Sequence, residues 1–122
     1  MIYTLQVFDT DYAQIHLSYQ IFETDMAARY DLSDLANPEL PVFARELLGL
    51  PGVCAIVVQS NVVGIELYEE FEHSWTYLAR RAVMSIANSQ KLQDLVSWMP
   101  FEAFNDCFPG VISPGNISKH AA

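Results

Sequence analysis

Six consecutive residues, Val53-Cys54-Ala55-Ile56-Val57-Val58, are apolar and largely β-branched. Successive side chains of a strand point to opposite faces. A strand with no polar position therefore has to be covered on both sides, as in the interior of a sheet. The flanks narrow the choice further. Upstream, Phe43, Leu47 and Leu50 recur at i, i+4 and i+7, with Ala44 and Leu48 beside them, which is one face of a helix. Asn37-Pro38 is its expected entrance, a capping residue followed by a proline whose φ is preset. Pro51-Gly52 ends it. Arg45 and Glu46 are expected in water. Downstream, Gln59-Ser60-Asn61 is a polar turn, and Val63, Ile65 and Leu67 alternate with Gly64, Glu66 and Tyr68 as the next strand. Ser74 is a suitable N-cap, and Trp75, Leu78, Ala79, Ala82, Val83 and Ile86 form one stripe at helical spacing.

The segments around this unit are read in the same way. Tyr3, Leu5 and Val7 alternate with Thr4 and Gln6 over residues 2–8. Ile15, Leu17, Tyr19 and Ile21 alternate with His16, Ser18 and Gln20. With Asp9-Thr10-Asp11 between them, these two strands are expected to form a hairpin with a loop of about five residues. Residues 23–40 show no clear period and are expected to be a loop. Beyond Asn88-Ser89, the spacing of Leu92, Leu95, Val96 and Met99 predicts a further helix, stopped by Pro100. Pro109-Gly110 and Pro114-Gly115 mark turns.

Hairpins alternating with helices predict an α+β fold. The expected order is ββαββα in a two-layer sandwich: a four-stranded sheet with the helices on one face, then an extra C-terminal helix and tail. Residues 1–99 are expected to form a single domain, and 100–122 a partly packed tail with a frayed end. Thr4, Gln6, His16, Ser18, Gln20, Glu66 and Tyr68 fall on the second sheet face, which is expected either to be covered by the tail or to stay open, wet or meeting a partner through polar contacts. Phe101, Phe104 and Phe108 are the candidate partner-binding residues. With Val111 and Ile112 they are expected to dock either on their own chain or across a homodimer, the dimer being favoured.

Composition excludes several functions. The 122 residues hold 15 acidic against 6 basic side chains, a net charge of −9. Neutralising phosphates needs Lys and Arg, so neither a nucleic-acid partner nor an anionic membrane surface is expected. No apolar run approaches the ~18–20 residues of a membrane span, and residues 1–20 lack the basic flank and apolar core of a secretory signal. Cys54 and Cys107 fit no metal-binding spacing, and the expected compartment is the reducing cytoplasm. A disulfide between them stays open.

Few residues are placed for chemistry. His16 lies near Asp9 and Asp11 across the hairpin, and a histidine with carboxylates is a possible ligand set, but no ligand spacing supports it and an exposed strand histidine is the favoured reading. Glu66, Glu69, Glu70, Glu72 and His73 form the densest ionisable run. Of these Glu69, Glu72 and His73 are the candidate metal ligands, against the plainer reading of acids solvated before a helix N-terminus. Tyr68, Phe71 and Trp75 are a candidate aromatic patch for a partner. No serine has nucleophile-elbow context, and there is no glycine-rich phosphate loop. No catalytic residue and no cofactor are assigned.

The helix, Gly-Val, strand, turn, strand, Trp, helix pattern resembles the N-terminal domain of Nfu/NifU-type iron–sulfur scaffold proteins. The positions that carry the resemblance are Ala44, Arg45, Leu47, Leu50, Gly52-Val53, Ile56, Val57, Val63, Ile65, Trp75 and Ile86, within residues 1–88. Two features depart from that family. Asp9-Thr10-Asp11-Tyr12 stands where its Thr-Pro-Asn-Pro loop occurs, and the cluster-carrying C-x-x-C part is replaced by the segment from residue 89. The resemblance therefore implies a non-enzymatic accessory domain that binds protein, with the iron–sulfur assembly machinery as the implied partner, and does not imply cluster binding. Alternative readings are a small-molecule-binding regulatory domain, on fold analogy, and a small enzyme using residues 66–73.

Overall fold

A computed structural model describes residues 1–18, 20–22, 26–68, 74–89 and 95–108. The elements are β1 (Ile2–Asp9), β2 (Tyr12–Leu17), β3 (Ala28–Asp31), a 3-10 turn (Leu32–Ala36), α1 (Val42–Leu48), β4 (Val53–Gln59), β5 (Val62–Leu67), α2 (Trp75–Ser89), β6 (Ser97–Trp98) and α3 (Phe101–Cys107). They form a mixed α+β fold around one six-stranded sheet of order β3-β4-β5-β2-β1-β6. The pairings are antiparallel except that of β1 with β6.

Val53, Ala55, Ile56, Val57 and Val58 are all buried, as a strand covered on both faces requires. β4 lies between β3 and β5. On one face, Tyr3, Ile15, Leu17, Ile56, Val58, Val63, Ile65 and Leu67 pack against Ala44, Leu47 and Leu48 of α1 and Leu78, Ala79, Ala82, Val83 and Ile86 of α2. Every apolar position of the α2 stripe except Trp75 is fully buried, and Trp75 packs half-buried at its start. The Ser74 hydroxyl accepts from the Tyr77 N–H at 3.4 Å, so the expected cap is present.

The turn between β4 and β5 anchors β2. Ser60 takes a positive φ of 55° there, and the buried Asn61 amide donates to the Leu17 carbonyl at 2.9 Å. The Leu17 N–H donates back to the Asn61 carbonyl at 2.8 Å. The ladder thus continues past the end of β2, and β2 becomes the middle partner of β1 and β5.

The structure corrects several expectations. The sheet has six strands rather than four. β3 and the 3-10 turn occupy a stretch expected as loop. Asp31 supplies the local order: its carboxylate accepts from the Ser33 N–H at 2.9 Å, while Asp34 accepts from the Asp31 N–H at 2.8 Å. Asn37-Pro38 does not start α1. The Asn37 side chain accepts from the Glu39 N–H at 2.9 Å and its carbonyl from Leu40 at 3.1 Å, a β-turn with proline at its second position. The β1–β2 loop is the two-residue turn Thr10-Asp11, with Asp9 opposite Tyr12.

The predicted helix ending at Met99 is replaced, over its described part, by strand β6. The Ser97 and Met99 N–H groups donate to the carbonyls of Met1 and Tyr3 at 3.0 and 2.9 Å, so an open strand edge takes the segment as a partner. The rest of that predicted helix, residues 90–94, lies outside the described residues, as do residues 109–122 with their expected frayed end. The two main helices, α1 and α2, share one face as expected. α3 packs on β1 from the side opposite α1 and α2, with Phe101 against His16.

Candidate functional site

The second sheet face is polar in composition and buried where α3 covers it. β2 and β1 place His16 opposite Thr4 and Gln14 opposite Gln6, and β5 places Val62 and Gly64 beyond them. Thr4 is 0 % and His16 2 % exposed. This corrects the expectation of an exposed histidine, and of the two outcomes expected for the face, open or covered by the tail, the second is found where α3 lies. The apolar underside of α3 seals it: the Phe101 ring lies 5.9 Å from the His16 ring, and Phe104 is fully buried beside Phe108, with ring centroids 4.9 Å apart.

One contact selects the tautomer of the neutral His16 ring. Its Nε2 lies 3.2 Å from Oε1 of Gln6. A carbonyl oxygen accepts only, so Nε2 carries the hydrogen and Nδ1 is left as a bare lone pair. Nδ1 and the Thr4 hydroxyl are buried without hydrogen-bond partners. Burial disfavours the imidazolium and holds the pKa down from 6.5 to about 4. A neutral histidine with a free lone pair is a possible base or metal ligand, but no carboxylate is assembled with it. Asp9, opposite Tyr12, and Asp11 lie at the turn, four and five residues along the strand from His16, or about 13 Å and ~16 Å at ~3.3 Å per residue.

Further along this face the Tyr12 ring lies across Gly64. A Cβ at Gly64 would come within 2.6 Å of the phenol oxygen, so glycine is what admits the ring. Gln14 donates to that oxygen at 3.1 Å. Arg29 on β3 bridges Glu66 at 3.2 Å and Asp31 at 3.6 Å. These are internal contacts: Tyr12 packs β2 on β5, and Arg29 reaches across β4 to join β3 to β5.

The candidate ligands Glu69, Glu72 and His73, together with Glu70 and Phe71, lie outside the described residues. Among the described residues no three His, Cys, Asp or Glu side chains are grouped to hold a metal ion. Tyr68 is exposed and Trp75 half-buried. Cys54 and Cys107 are free thiols, the first half-buried with its Sγ 3.4 Å from the Glu66 carbonyl, the second exposed on α3. Of the candidate partner-binding residues, Phe104 is buried by its own chain, and Phe101 and Phe108 are half-buried. Docking on the chain itself, rather than across a dimer, accounts for Phe101 and Phe104.

Large apolar side chains are instead exposed along the opposite margin of β1. Val7 and Phe8 are 51 % and 52 % exposed at its end, and Leu95 and Trp98, 90 % and 54 % exposed, lie on and beside β6. Sequence reading missed this feature. Val7 and Leu95 sit in patterns that look like core, Trp98 lies outside any pattern, and only their place at the sheet edge leaves them exposed.

No protein-family model and no curated protein matches this chain. Among solved structures, protein SAV1430 from Staphylococcus aureus, a structural-genomics target, is similar with a TM-score of 0.52 and 16% identity. The match covers 70% of this chain and 98% of that one. At this identity the similarity shows the fold alone. No helix among the described residues is long and apolar enough to cross a membrane.

Proposed function

We propose that this chain is a non-enzymatic protein-interaction domain, an accessory module of the kind that its resemblance to the N-terminal domain of Nfu/NifU-type scaffold proteins implies. The observation that carries the reading is the exposed apolar margin formed by Val7, Phe8, Leu95 and Trp98. They stand along the outer edge of β1 in two pairs, Leu95 with Trp98 at its start and Val7 with Phe8 at its turn end, and exposed apolar side chains along one edge suit a contact surface. On the second face Tyr12 and Gln14 are bonded to each other, and His16 and Thr4 are sealed beneath α3 away from any substrate, which supports binding over catalysis. In this reading the partners belong to iron–sulfur assembly and the compartment is the cytoplasm, where both cysteines stay reduced.

The test is isothermal titration of the purified chain with a purified C-x-x-C scaffold domain, and with cysteine-desulfurase and cluster-carrier proteins, from the same source. Saturable binding to one of them, weakened at least tenfold by Trp98→Ser, is the expected result. No heat of binding to any of them would overturn the iron–sulfur reading.

A further inference from the structure

We infer that the outer edge of β1, from Leu5 to Val7, is a docking site for an extended cationic peptide segment that adds to the sheet as a strand. This rests on the reading of the chain as an interaction domain and names the kind of partner and the way it is held. The backbone geometry comes first. The Ser18 N–H donates to the Ile2 carbonyl, so Ile2, Thr4 and Gln6 turn their backbone groups toward β2. Met1, Tyr3, Leu5 and Val7 turn theirs outward. The carbonyls of Met1 and Tyr3 are taken by Ser97 and Met99. β6 pairs only as far as Tyr3, and the chain then leaves the sheet through Pro100 into α3. Beyond that point the N–H and C=O groups of Leu5 and Val7 face outward with no described strand beside them.

The two ends of the sheet differ. Soluble proteins protect an edge by making it short or charged. β3 does both: it has four residues, with Arg29 and Asp31 ion-paired on it. The free part of β1, from Leu5 to the bulge at Phe8, is also short, but it carries no charge of its own and exposes Val7 and Phe8. Strand addition uses such an edge, with main-chain hydrogen bonds giving affinity and alternate side chains giving selectivity.

Charge selects the occupant. Asp9 and Asp11 stand at the turn that ends β1, and Glu102 and Asp106 are on the helix that packs on β1, with all but Asp11 exposed. Among the described residues, the cations at β1 are Arg80, which is bonded to the Tyr3 hydroxyl on the α2 side, and the Met1 ammonium, which donates to the Leu95 carbonyl at the start of the strand, away from Val7. The partner is therefore a strand with apolar side chains on the Leu5 and Val7 side and Lys or Arg on the α3 side. A second copy of this chain would bring the same carboxylates, and its own charge of −9, against them.

The probe is a capped peptide of alternating valine and lysine, followed by fluorescence anisotropy and by amide chemical shifts of the labelled protein. Saturable binding is expected, with the largest amide shifts at Leu5 and Val7 and at least tenfold weakening between 50 and 300 mM salt. Val7→Lys, which leaves the β2 ladder intact, should weaken it at least tenfold, and Glu102→Gln with Asp106→Asn about threefold. Absence of binding, or shifts centred elsewhere, would overturn the inference. So would sedimentation showing a dimer of the chain that Val7→Lys dissociates, because the occupant is then a second copy. A scaffold partner that binds Val7→Lys as tightly as wild type would overturn the edge site while leaving the interaction reading in place.

Discussion

A neutral imidazole sealed beneath Phe101 ties folding to pH. His16 binds its proton with a pKa of about 4 when folded and 6.5 when unfolded. Between those values the unfolded chain holds the extra proton, so stability rises with pH across the window. The contribution is complete above pH 6.5 and is lost as pH falls toward 4. The full difference is on the order of 3 kcal/mol at about 1.4 kcal/mol per pH unit. The groups that face the ring are Thr4 and Gln6 from β1, Val62 from β5 and Phe101 from α3, none of them ionised in this range. Denaturant titrations at several pH values should show wild type losing stability from pH 6.5 to 4, with His16→Gln losing about 3 kcal/mol less over the same span. Parallel pH profiles for the two proteins would show that the ring is hydrated. Sequence alternation alone places His16 on the correct face. Its burial was not legible, because that depends on a helix eighty-five residues further along the chain. The pairing of Gly64 with Tyr12 was equally hidden, since a diagonal contact between strands requires the register of β2 on β5.

At the scale of elements, α3 and β6 act together as a strap. β6 fastens the chain to the outer side of β1, and α3 then folds over the second face with Phe104 as its buried anchor. Truncating a fully buried phenylalanine to alanine costs ~3–5 kcal/mol. Phe104→Ala should therefore either lower the denaturant midpoint by an amount in that range or release α3. Release would appear as new binding of a hydrophobic dye and as loss of hydrogen-exchange protection at Phe104 and Phe108, whose N–H groups close the helix. A variant within about 1 kcal/mol of wild type, with no dye response, would show that α3 is not part of the cooperative unit. The phenylalanine spacing was visible in the sequence. Which surface it would cover was not, because a seven-residue amphipathic helix fits any apolar surface of similar size.

The whole molecule is a sheet with a large apolar core on one face and a smaller, polar-lined interior on the other. That core is built from aliphatic side chains of β1, β2, β4, β5, α1 and α2, so folding is expected to require no metal. Melting curves with and without chelator should coincide. A fall of more than about 4 °C on chelation, on the order of 1 kcal/mol for a domain of this size, would show that metal binding contributes to folding.

Local pattern determined the elements whose partners are close in the chain. The Val53–Val58 run, the alternation of Val63, Ile65 and Leu67, and the Leu78-to-Ile86 stripe are periodicities of one strand or one helix, and burial follows from them directly. Tertiary structure decided what depends on encounter between distant segments. β3 became a strand because β4 offered it an edge, and Ser97-Trp98 became one because β1 did. Thr4 and His16 became interior because α3 closed over them. In each case the short segment carries too little periodic signal to specify its own state, and the backbone hydrogen bonds or apolar surface of a remote neighbour supply the difference.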